Sequence, residues 1–133
     1  MKSEIDLAVG LAEKARKDLL AMTATRKVGA LEASCFHAQQ AAEKALKALL
    51  TSMNQEFPYT HNSQTLVELV SAIDPRFRRF LDAGETLTPY AVEVRYNVKF
   101  TPTKADAAKA ARLGQAICRL AFSLLPPAAR PPK

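Results

Sequence analysis

This chain of 133 residues has no tryptophan, only four glycines and only two cysteines. Without tryptophan, the core must be built from Leu, Ala, Val, Ile, Phe and Met. Scarce glycine suits a few long helices. The two cysteines, Cys35 and Cys118, are too few for a disulfide framework. Each falls on the apolar seam of a helix and reads as a reduced core thiol of a cytoplasmic protein; a single bridge between their helices is the alternative. No Cys/His cluster has metal-ligand spacing, so no metal or other cofactor is expected. No apolar run approaches the roughly 20 residues of a membrane span. The N-terminus is charged at Lys2 and Glu4 and lacks the apolar stretch of a secretory signal. Gly-rich phosphate loops, paired-carboxylate signatures and nucleophile elbows are missing as well.

What is present is enough apolar material, 48% of the residues, to fold one domain around a real core. The net charge of +6 permits an anionic partner such as RNA, a nucleotide or an acidic protein without demanding one. The richest stretch is Cys35-Phe36-His37-Ala38-Gln39-Gln40-Ala41-Ala42-Glu43-Lys44-Ala45-Leu46-Lys47-Ala48-Leu49-Leu50. It holds neither Gly nor Pro and is dominated by strong helix formers. Reading back to Val28, small or apolar residues recur at Val28, Leu31, Cys35, Ala38, Ala42, Ala45 and Leu49, the alternating three-four spacing of a buried helix face. His37, Gln40, Lys44 and Lys47 line up on the opposite face as a polar, basic stripe.

Along the chain, the pattern predicts a first helix from Lys2 to Met22, started by a Ser3/Asp6 capping box and buried at Ile5, Ala8, Ala12, Ala15, Leu19 and Met22. The second runs from Arg26 to Met53, with Gly29 inside its first turn. His61-Asn62-Ser63 caps a third, carrying Leu66, Val67, Leu69, Val70 and Ile73. A short helix from Asp74-Pro75 reaches Leu81 and ends at Ala83-Gly84. Residues 88–100 read two ways. Val92, Val94, Tyr96, Val98 and Phe100 alternate like a strand, whereas Thr88-Pro89 starts a helix well. A lone strand would have no partner, so a helix to about Arg95 and an irregular connector through Pro102 are preferred. Thr103 and Asp106 cap the last helix, with a seam of Ala107, Ala110, Gly114, Ile117, Ala121 and Leu124. The sum is an all-α, up-and-down bundle of four main helices with one or two short ones, over residues 1–125. The Pro-rich tail, 126–133, is expected to be disordered. Phe36, Leu46, Leu50 and Met53 lie off the main seam of the second helix, which points to a second subunit as their cover.

The candidate chemistry is sparse. His37 with Lys44 and Lys47 could contact phosphates, or the stripe is a solvated face with an i,i+4 pair between Glu43 and Lys47. Gln39 suits a structural hydrogen bond better than ligand recognition. His61 could act as acid or base, or simply sit at the start of its helix. Arg76, Arg78 and Arg79 interleave with Phe77 and Phe80, as an RNA patch or as an amphipathic turn. Arg95-Tyr96 could bind a phosphate or carboxylate, or lock the connector.

The stretch from Phe36 to Leu50, Thr60-His61 before a Leu-rich helix, and Arg95-Tyr96 before the last helix occur in the order seen in the HEPN family. The chain resembles that family over about residues 3–125. It departs in lacking a Trp in the first helix and in having Asn97 where Pro often follows Arg-Tyr. The resemblance implies a helical, cytoplasmic prokaryotic protein that dimerises. It also implies a minimal nucleotidyltransferase as partner, in a toxin–antitoxin-like pair. Many members are metal-independent ribonucleases that use Arg, four to six further residues, then His. Carried onto Arg95, that His would stand at position 100, 101 or 102, which are Phe100, Thr101 and Pro102. Neither histidine follows any Arg at that spacing, so no catalytic residue is assigned. The preferred reading is a non-catalytic binding module, with His37, Gln40, Lys44, Lys47, His61, Arg95 and Tyr96 as ligand-binding candidates. A ribonuclease toxin with a non-standard His site and a purely structural dimerisation protein are the alternatives.

Overall fold

A computed structural model of the chain describes residues 3–132. The expected helix start at Lys2 and the last tail residue, Lys133, lie outside the described residues. Among the described residues the α-helices are α1 (Glu4–Lys27), α2 (Leu31–Ser52), α3 (Ser63–Ile73), α4 (Leu81–Leu87), α5 (Glu93–Tyr96) and α6 (Lys104–Leu124). Tight 3₁₀ turns over Pro75–Phe80, Thr88–Ala91 and Pro127–Ala129 link or follow them, and the described residues contain no strand. Helix wins over the alternating pattern of 88–100 because Thr88–Ala91 and α5 form consecutive helical turns, with Tyr90 and Ala91 directed into the core.

Capping boxes start both α1 and α6. Ser3 Oγ accepts from the Asp6 N–H while Asp6 accepts from the Ser3 N–H, and Thr103 and Asp106 repeat the exchange. The first boundary differs from the expectation. Helix α1 continues past Met22 because the hydroxyls of Thr23 and Thr25 return to the Leu19 and Ala21 carbonyls, which satisfies them inside the helix. It stops at the turn around Gly29, whose φ of +82° suits glycine. Gly29 therefore separates two helices instead of lying inside the second, and Val28 is 79% exposed instead of extending the seam. Ile5 is also on the exposed side of α1.

Helix α2 is the axis of the bundle, packed by α1, α3 and α6. Its seam of Cys35, Ala38, Ala42, Ala45 and Leu49 is fully buried. The small seam residues let α6 approach closely: a Cβ on Gly114 would stand 3.0 Å from the Ala38 carbonyl oxygen. Leu46 and Leu50 are fully buried within the single chain, and Phe36 and Met53 are half-buried. These residues therefore give no reason for a second subunit. In the described part of the tail, the turn Pro127–Ala129 lies against α1 with Ala129 buried, and Arg130 donates to the Leu125 and Ser123 carbonyls at the end of α6.

Cys35 and Cys118 are free, buried thiols. Burial pushes the Cys35 thiol up to about 11, and desolvation raises Cys118 further still. Both remain protonated at neutral pH and present no thiolate nucleophile. We expect neither thiol to react with iodoacetamide at pH 8 within the time that unfolded protein is fully alkylated. Rapid native-state labelling would contradict their burial.

Candidate functional site

The polar face of α2 carries two similar constellations. In the first, Asp18 of α1 meets His37 and Lys44: His37 Nδ1 lies 2.9 Å from one carboxylate oxygen and Lys44 Nζ lies 2.6 Å from the other. In the second, Glu43 meets His61 and Lys47: His61 Nδ1 lies 3.0 Å from one oxygen and Lys47 Nζ lies 3.2 Å from the other. Each carboxylate is thus held between an imidazole and an ammonium. A carboxylate only accepts hydrogen bonds, so Nδ1 is the donor in both rings.

Amides continue the network. Gln39 is fully buried, and its Nε2 donates to Glu43, the Ser63 hydroxyl and the His61 carbonyl. Gln40, buried as well, donates to the Gln39 amide oxygen at 2.7 Å. These bonds tie α2 to the loop entering α3. The Gln39 expectation of a structural hydrogen bond is met. The stripe carries its own counter-charges. It is neither basic nor a solvated face, because Asp18 and Glu43 neutralise the two lysines and Lys47 is only 13% exposed. The i,i+4 pair of Glu43 with Lys47 is present but desolvated.

Aromatic rings border the stripe at both ends. The Arg95 guanidinium lies 4.5 Å from the centroid of Phe36, and Phe36 meets His37 edge to face at 5.5 Å. Arg95 and His37 are therefore joined by one ring, a proximity that nothing in their sequence separation announces. At the other end, Lys47 stands 5.7 Å from the Phe57 ring and 5.9 Å from the Tyr59 ring, and Tyr59 meets His61 at 6.2 Å. Tyr96 is 75% exposed beside Arg95. Of the seven candidates, His37 and Lys44 share Asp18, Lys47 and His61 share Glu43, Gln40 joins the second group through Gln39, and Arg95 reaches the first through the Phe36 ring, with Tyr96 the next residue of α5.

The residue missed from sequence is Asp18. Its signal was its place on the buried face of α1, three residues after Ala15 and four before Met22. A charge at a seam position needs a buried partner. Elsewhere, Phe100 stands where the family's ribonuclease motif would begin to place its histidine. Its half-buried ring packs against Tyr90 at 5.7 Å.

The model of the HEPN domain family matches residues 8–124 of the chain. The chain belongs to the HEPN family. Two solved structures show the same fold. One is TT1696 from Thermus thermophilus, 26% identical, with a TM-score of 0.74 over 89% of this chain and 98% of that one. The other is ST0689, an archaeal HEPN homologue, 24% identical, with a TM-score of 0.70 over 92% of this chain and 98% of that one. No curated protein matches. Within this HEPN domain, no described helix is long and apolar enough to cross a membrane.

Proposed function

We propose that this HEPN domain is a non-catalytic binding module. It works as a homodimer and takes a nucleotide or a minimal nucleotidyltransferase partner in a toxin–antitoxin-like pair. The observation that carries the reading is the connector. Arg95 faces Phe36, and position 100 is filled by a phenylalanine packed on Tyr90, so no imidazole follows Arg95 at the motif's spacing. General acid–base cleavage of RNA of the family's type needs that imidazole. Arg95 keeps what binding requires: a planar, permanently charged fork beside an aromatic ring that also meets His37. Val92, Tyr96 and Val98 are exposed on the same connector and support its use as a contact surface for a second chain.

The test combines three measurements on one preparation. Light scattering is expected to give the mass of two chains. Titration with ATP is expected to show binding that Arg95→Ala weakens about tenfold, roughly 1.4 kcal/mol. Structured and single-stranded RNA incubated with the protein in EDTA is expected to stay intact. One observation favours a second reading: each histidine is oriented by a carboxylate, the arrangement of a general base. Cleavage in EDTA that is lost in His37→Ala or His61→Ala would replace the binding module with a ribonuclease toxin.

A further inference from the structure

Helix α6 has a second surface that shares no residue with the α2 stripe. After Asp106, which is occupied in the capping box, the helix contains no carboxylate. Its solvent side presents Lys104, Lys109, Arg112 and Arg119. None of these makes an ion pair among the described residues. Neighbouring elements add cations of the same kind. The end of α1 brings Arg26 and Lys27 to two adjoining grooves. One, of about 400 Å³, is floored by Ala111 and Gln115; the other, of about 370 Å³, reaches Lys104. At the far end, Arg79 and Arg119 flank a hollow of about 220 Å³ that includes Ser123.

We propose that this face of α6, with the end of α1, binds the phosphodiester backbone of double-stranded nucleic acid. Three features select that partner. The cations from Lys104 to Arg119 span roughly 22 Å at 1.5 Å per residue, a length that faces about 13 phosphate charges of a duplex. The outer face of α6 carries no exposed large apolar side chain, and the groove at the end of α1 adds a single exposed one, Val28, whereas a protein partner needs a cluster of aromatic or aliphatic anchors at the centre of its interface. It also presents no exposed aromatic ring, whereas single-strand binding relies on rings for the bases to stack on. What remains is a row of unpaired, solvated cations, which reads backbone charge and not sequence.

The experiment measures binding of the full chain to a short DNA duplex, the RNA duplex of the same sequence, the matching single strand, and polyglutamate, between about 50 and 200 mM salt. Duplex is expected to bind more tightly than single strand or polyglutamate. Its log K is expected to fall with log salt at a slope of about −5 for six phosphate contacts. The duplex bound more tightly identifies the source of the backbone. Arg112→Glu with Arg119→Glu is expected to weaken duplex binding on the order of 100-fold and flatten the slope by about 2. Arg112→Gln with Arg119→Gln removes the charge without reversing it and is expected to flatten the slope by the same 2. Both pairs leave the melting temperature in place, because the two side chains are exposed and unpaired. Duplex binding unchanged in both pairs, equal binding of polyglutamate, tighter binding of single strand, or no duplex binding at low salt would each overturn the proposal.

Discussion

Replacing Glu43 with alanine is expected to cost about 3 kcal/mol of stability, at the lower edge of what breaking a buried ion pair costs. The carboxylate is almost wholly buried and serves three donors at once: Lys47 Nζ, His61 Nδ1 and Gln39 Nε2. Alanine leaves the Lys47 ammonium in a largely desolvated position with no counter-charge. It also leaves a vacancy at the junction of α2 with the loop entering α3. The rings of Phe57 and Tyr59 still face Lys47, and Gln39 keeps the Ser63 hydroxyl and the His61 carbonyl. The damage is therefore kept from the upper end of the range. At fixed protein concentration the melting temperature is expected to drop by roughly 10 °C. Glu43→Gln keeps an acceptor and is expected to lose about half as much. A double variant, Glu43→Ala with Lys47→Met, removes the stranded charge and is expected to recover most of the loss. A single alanine variant that melts with the parent would show that the lysine reaches water and that the pair is not desolvated.

The architecture was legible because helix signals in this chain are local. Capping boxes at Ser3 and Thr103, the Asn62 cap and the period of the α2 seam each act within one or two turns. The site was legible only by halves. His37, Gln40, Lys44 and Lys47 share a face by helical spacing, so one helix reveals them together. The groups that make them a network come from α1 and from the α3 entry, 19 residues away in the His37–Asp18 pair and 18 in the Glu43–His61 pair. No local pattern encodes that separation, and the sign of the stripe was therefore misread: the lysines were visible and one of their counter-ions was not. The contact between Arg95 and the Phe36 ring is of the same kind, since it depends on where a short irregular connector lies on a long helix.

Glycine positions divide in the same way, and the sharpest case is Gly84. From sequence it ends a short helix; in the structure it lies inside α4, against the first turn of α3. A Cβ there would stand 2.8 Å from the Gln64 Cα, 3.0 Å from the Gln64 nitrogen and 3.2 Å from the Ser63 carbonyl carbon. These are backbone atoms of a capped helix, so no side-chain rotation relieves the clash, and α4 and α3 must separate. Overpacking of this kind costs roughly 1–3 kcal/mol or more. The helix propensity gained on replacing glycine by alanine returns only about 1 kcal/mol. Gly84→Ala is therefore expected to destabilise the domain by about 2 kcal/mol. Gly10→Ala is the control. Gly10 is exposed on α1 with nothing within 4 Å of its Cβ position, so the same substitution there is expected to stabilise by about 0.5–1 kcal/mol. Denaturant titrations of the two variants are expected to move the midpoint in opposite directions from the parent. If Gly84→Ala moved it upward as Gly10→Ala does, the close approach of α4 to α3 would be wrong.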